Sequence, residues 1–171
     1  MRLLALTALA GFALISGLAS TASSERAQAA SCLSTRVHYE QPPNPDLLNL
    51  RLPWVSAGRP GRKIIGYLFY YGQELRKGSR LTIYAGGELP GGGSTKVLWA
   101  PRRVNSPILT ISGRQLDGPG NFQQEFRSAS GTPTTVYPSI VNVPEAGCWV
   151  LTVGNGPVTA RFAVIALSPR P

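Results

Sequence analysis

Along much of the chain apolar and polar residues alternate in short runs, and the runs are cut by Gly, Pro, Asn and Asp. Successive side chains on a strand point to opposite faces, so each such run reads as a strand with one face turned to a core. In GCWVLTV, residues 147–153, the alternation sets Trp149, Leu151 and Val153 on one face and Cys148, Val150 and Thr152 on the other. The larger side chains belong inside, with the Trp149 indole N–H turned to a backbone carbonyl, as a buried tryptophan requires. The same reading predicts strands at 49–55, 63–71, 80–84, 95–99, 108–113, 122–126, 136–141, 147–153 and 158–167. Nothing between residues 47 and 171 has the spacing of a long amphipathic helix. Short strands at this spacing predict an all-β fold, a two-sheet antiparallel β-sandwich.

The connectors carry their own chemistry. LDGPG at 116–120 and GNGP at 154–157 supply Asp-Gly and Asn-Gly steps, whose glycines tolerate positive φ. The second predicts that 147–153 and 158–167 form a hairpin. GGELPGGG at 86–93 has the glycines of a phosphate cradle, but the strand TKVLW follows it instead of a helix opened by Lys and Ser/Thr. It therefore reads as a flexible hairpin loop. In IIGYLFYYG both faces are large and apolar, with Tyr67, Phe69 and Tyr71 against Leu68 and Tyr70. Either this strand is central and covered on both sides, or its Tyr-rich face is exposed and meets a partner.

The front of the chain breaks the pattern. Arg2 precedes an apolar run from Leu3 to about Leu18, and a short polar stretch then ends in Ala27, Gln28 and Ala29. Charge, apolar run and small-x-small site together are the anatomy of a secretory signal cut after Ala29. Two rivals are a membrane anchor, for which the run falls just under the roughly 18 residues needed, and lipid attachment at Cys32. The Leu usual three residues before a lipidated Cys is missing. Pro42, Pro43 and Pro45 exclude regular helix next to the leader. The organisation expected is a signal peptide at 1–29, an extended arm at 30–49 and a sandwich domain at 50–171. Such a protein is secreted or otherwise extracytoplasmic, without stable membrane insertion after cleavage.

Export changes the meaning of the cysteines. Two cysteines far apart in an exported chain predict one disulfide, Cys32 with Cys148. Closing so long a loop stabilises by up to about 4–5 kcal/mol in the chain-entropy picture. A metal site fails on ligand count, because His38 is the single histidine and no Cys-x-x-Cys accompanies it. Redox catalysis lacks a vicinal pair, and a serine triad lacks a Gly-x-Ser-x-Gly elbow. His38, in RVHYE, reads as a surface histidine. No cofactor and no catalytic residue is expected. The alternative is an unconventional hydrolase, or a hydrolase accessory domain, with a site built from Asp117, Glu88 and nearby arginines.

The formal net charge of +9 adds one further possibility of contact. The basic residues are scattered, with small groups at Arg59, Arg62 and Lys63, at Arg76, Lys77 and Arg80, and at Arg102 and Arg103. They read either as solvated charges that keep the protein soluble or as a patch facing an anionic surface. Nucleic acid is not an expected partner, since none of the usual binding motifs is present.

The segments TKVLWAPRRVNSPILTISGRQLDGPGNFQQEF and VYPSIVNVPEAGCWVLTVGNGPVTARFAVIAL resemble a group of exported bacterial proteins and lipoproteins with no established function. The likeness rests on the L-W strand, the G-x-R-L-D-G/A-P type of turn (here GRQLDGPG) and the final P-x-x-G-C-W-x-x-T hairpin, and covers about residues 95–167. It implies no catalytic residues. The GCWVLTV strand is also similar to the penultimate strand of immunoglobulin-like domains, which implies a fold and no activity. The expected function is binding, or a structural part in the cell envelope, with an envelope protein, a glycan or an anionic surface as partner. Tyr67, Phe69, Tyr71, Arg102 and Arg103 are the candidate binding surface.

Overall fold

The computed structural model describes residues 32–41, 52–59, 63–71, 80–104, 106–129 and 135–169. The predicted signal peptide, the prolines of the arm and the basic pair Arg76 and Lys77 lie outside the described residues. Each predicted run holds a strand. These are β1 (Trp54–Ala57), β2 (Ile64–Leu68), β3 (Thr82–Tyr84), β4 (Lys96–Pro101), β5 (Ile108–Gln115), β6 (Asn121–Arg127), β7 (Tyr137–Ile140), β8 (Gly147–Asn155) and β9 (Val158–Leu167). The described residues are all-β, with one sheet ordered β1-β2-β4-β7 and a second ordered β3-β9-β8-β5-β6.

The first sheet is antiparallel throughout. The second departs from the fully antiparallel expectation, because β3 runs parallel to β9, pairing Thr82 with Ile165 and Tyr84 with Leu167. Parallel neighbours need a long connection. Here five strands separate the two in sequence, so no hairpin constrains their direction.

The sheets share one core, which makes the arrangement sandwich-like. Val55, Ile64, Leu68, Val97, Trp99 and Tyr137 from the first pack with Leu109, Ile111, Trp149, Leu151, Val153, Phe162 and Val164 from the second. Trp99 and Phe162 meet across the interior, with ring centroids 5.2 Å apart. The assignment of faces in β8 holds. Trp149, Leu151 and Val153 are buried in the core, and the Trp149 indole donates to Glu145 O at 3.1 Å. The β8–β9 hairpin forms with Asn155 opposite Val158, and Gly156 takes φ 60° at the first loop position, where a two-residue turn demands it.

The Tyr-rich run resolves to the covered alternative. Ile64 and Leu68 face the shared core, while Ile65 and Tyr67 face a second apolar cluster with Trp54, Ala100 and Val136 on the other side of the sheet. The strand stops at Leu68 because the chain turns there, Tyr71 N–H donating to Leu68 O. Tyr70 and Tyr71 then fold into the core instead of extending β2.

The GGELPGGG loop closes on itself. Leu89 N–H donates to Gly93 O, Gly92 N–H to Leu89 O, and Leu89 is buried. Four of its glycines, Gly86, Gly87, Gly92 and Gly93, take positive φ, which explains their number.

Residues 32–41 cross the edge where the two sheets meet. Thr35 N–H donates to Ala163 O of β9, and Leu81 N–H donates to Thr35 O. Three residues later His38 exchanges both backbone hydrogen bonds with Trp54 of β1, at 2.8 and 2.9 Å. Cys32 is disulfide-bonded to Cys148 at the start of β8, with Cα atoms 5.7 Å apart, inside the usual range for a bridge. One short segment is thus tied to β8, β9 and β1 in turn.

Candidate functional site

The candidate binding residues divide. Tyr67 and Tyr71 are 1% and 5% exposed, and Phe69 is half-buried, so this run offers no open aromatic stripe. The Tyr71 hydroxyl donates to Arg80 O and accepts from Thr82 N–H, and burial raises its pKa to about 12. It ties the end of the Tyr-rich run to the start of β3. Arg102 and Arg103 are exposed, just beyond β4. Lys96 Nζ lies over the Phe69 ring, 5.4 Å from its centroid, so a cation covers one face of that ring.

The carboxylates named for a hydrolase are apart. Both Asp117 oxygens accept from Cys148 N–H, at 3.1 and 3.0 Å, whereas Glu88 stands in the β3–β4 loop, bridged through its backbone to Ser94. No hydrogen bond or ion pair joins the two among the described residues. His38 stacks on Trp54 with ring centroids 4.3 Å apart, and its Nδ1 lies 2.6 Å from Glu40 Oε1. Glu40 is held below the ordinary carboxylate value, first by its own backbone N–H and then by His38. Among the described residues no group of three His, Cys, Asp or Glu side chains could hold a metal ion.

GRQLDGPG and PEAGCW, far apart in sequence, form one clasp. Gln115 Nε2 donates to Ala146 O, and its Oε1 accepts from Gly120 N–H. Leu116 N–H donates to Cys148 O while Asp117 accepts from Cys148 N–H, so the β5–β6 loop grips both backbone groups of the bridged cysteine. A Cβ on Gly118 or Gly120 would fall 2.3 or 2.7 Å from Gln115 Oε1. Gly118 is therefore required by crowding and not by the positive φ that its Asp-Gly step suggested. The motif chemistry is structural.

Among the described residues, one recess lies on the outer face of the second sheet. It has a volume of about 560 Å³ and is lined by Thr35, Ser112, Gly113, Arg114, Val150, Thr152, Arg161 and Ala163. Register places Arg114 beside Val150, and Val150 beside Ala163. In the next row Ser112 stands beside Thr152, and Thr152 beside Arg161. The outward positions of three adjacent strands therefore give a floor of small side chains with an arginine at two opposite corners. Thr35 supplies one wall, its Oγ1 accepting from Ala163 N–H at 2.9 Å. Sequence reading passed over these residues because each looks like an ordinary outward position; only the register brings them together.

No protein-family model, no curated protein and no solved structure is similar enough to this chain to count as a match.

Proposed function

We propose that the protein is an exported, non-enzymatic β-sandwich that acts by binding, or as a structural component, in the cell envelope. The observation that carries this reading is the recess on the second sheet, whose guanidinium and hydroxyl groups are donors suited to holding a ligand. The Cys32–Cys148 bridge supports an oxidising, extracytoplasmic setting. The leader cut after Ala29 and membership of the family of exported proteins with a final PxxGCWxxT hairpin belong to the same proposal.

Immunoglobulin-like connectivity also belongs to it. The central β5, β8 and β9 correspond to strands C, F and G, with β6 as a C′ strand, while β2, β4 and β7 take the places of A, B and E. Two features are this chain's own. The bridge runs from F to the front segment instead of from B to F, and β3 adds a parallel strand beside G.

The test is capture. Mature protein, immobilised with its bridge intact, is incubated with envelope fractions of the source cells. The expected result is a defined component retained by the folded protein and released when it is unfolded. Retention of nothing, or a hydrolytic activity abolished by Asp117→Ala, would overturn the reading.

A further inference from the structure

We propose that the recess on the outer face of the second sheet is a phosphoryl-binding site, gripped by Arg114 and Arg161 with the hydroxyls of Ser112 and Thr152. The proposal deepens the binding reading above and rests on it. Arg114 and Arg161 sit two strands and one row apart, so their backbone positions are separated by about 10 Å across the sheet and about 7 Å along it. Both line the same recess, with Val150 and Thr152 between them on the central strand. Both arginines are exposed, and among the described residues neither is in an ion pair. The Ser112 and Thr152 hydroxyls likewise have no protein hydrogen-bond partner among the described residues.

The lining holds two positive charges and no carboxylate. Glu125 shares the outer face but stands opposite Thr110, one row beyond Ser112 and outside the recess. Charge therefore selects an anion. Donor count narrows the class. Each guanidinium carries five N–H donors, and two hydroxyls add to them, more than the two oxygens of one carboxylate can accept. A phosphoryl group offers three or more acceptor oxygens, and the planar guanidinium fork matches two of them at once. The floor lacks an aromatic platform for stacking a sugar ring, since the side chains between the arginines are Val150, Thr152, Ser112 and Ala163. Recognition is thus of the acidic group.

Such a group can come as free phosphate, as part of a phosphodiester polymer, or on a lipid headgroup. Calorimetric titration of the mature protein with inorganic phosphate, with a glycerol-phosphate oligomer and with phosphatidylglycerol vesicles separates the three sources. At least one probe is expected to bind. Losing one charge-assisted contact should weaken that binding about 10-fold in Arg114→Gln or Arg161→Gln, and about 100-fold in the double variant. Arg59→Gln with Lys96→Gln removes the same charge from elsewhere and should change affinity less than about 3-fold at moderate salt. Equal melting temperatures confirm that the variants remain folded. The assignment is overturned if no probe binds, or if both double variants weaken binding equally, which marks diffuse attraction to a basic protein. The broader reading fails separately. An envelope component retained equally by wild type and by Arg114→Gln/Arg161→Gln would preserve binding and remove it from this recess.

Discussion

Tyr67 and Tyr71 stand four positions apart in one aromatic run, and their hydroxyls meet opposite environments. The Tyr67 hydroxyl is buried without a hydrogen-bond partner among the described residues, whereas that of Tyr71 is bonded on both sides, to Arg80 O and Thr82 N–H. A buried unpartnered hydroxyl opposes folding, and a satisfied one leaves orphaned backbone groups when removed. Tyr67→Phe should therefore be neutral or stabilise by up to about 1 kcal/mol, while Tyr71→Phe should cost about 1–3 kcal/mol in denaturant melts. The reverse order would mean that the hydroxyl environments are misassigned. Trp149→Ala should cost about 3–5 kcal/mol as a large-to-small change in the core, and a loss below about 1 kcal/mol would place its ring at the surface. Trp149 was legible in the sequence because alternation alone sets its face. The fate of the tyrosines was not, since a run apolar on both faces has no period to read.

Strand existence was the most legible feature at the scale of elements, because most of the β runs are short, alternating and bounded by turn residues. Direction and partner were less so. Nothing in TIY announces a parallel edge beside β9, since parallel pairing depends on the path of the chain and leaves no mark on a three-residue strand. Cross-strand packing was equally hidden. Gly66 pairs with Trp99, and a Cβ there would lie 2.6 Å from the indole ring. Gly66→Ala is expected to displace the indole and cost about 1–3 kcal/mol by overpacking. Thermal melts check this, and an unchanged melting temperature would show that Trp99 can move aside freely. The clasp of the β5–β6 loop around Cys148 gives this chain's two distant motifs one role: each supplies half of one set of hydrogen bonds.

For the whole molecule, the ionisation of buried phenols sets an upper pH limit. Burial raises Tyr71 from 10.0 to about 12, and raises Tyr70 well above its ordinary value, with Tyr71 as a second cause. The folded state keeps these protons to higher pH than the unfolded chain does. Their stabilising contribution is complete below about pH 10 and is lost as pH rises toward 12, by about 1.4 kcal/mol per pH unit for each group. Denaturant melts should show stability falling from about pH 10 upward and falling less steeply in Tyr71→Phe. A flat profile would contradict it.

The segment from Cys32 to Gln41 joins β8, β9 and β1, so the bridge is expected to govern the stability of both sheets together. Cys32→Ser/Cys148→Ser should lose up to about 4–5 kcal/mol, read from the denaturant midpoint. The pairing itself was legible, because two distant cysteines leave one simple partner, and it implied that the front segment is tied to the sheet; the backbone contacts of that segment with β9 and β1 were not, since they have no sequence signal. The central claim, an exported protein clasped by a single bridge, is tested most directly by intact mass and thiol titration of unreduced protein isolated from its source. The account predicts a chain beginning at Ala30, lighter by two hydrogens than the reduced sequence, with no free thiol. A chain that retains Met1, a lipid mass on Cys32, or two free thiols would contradict it.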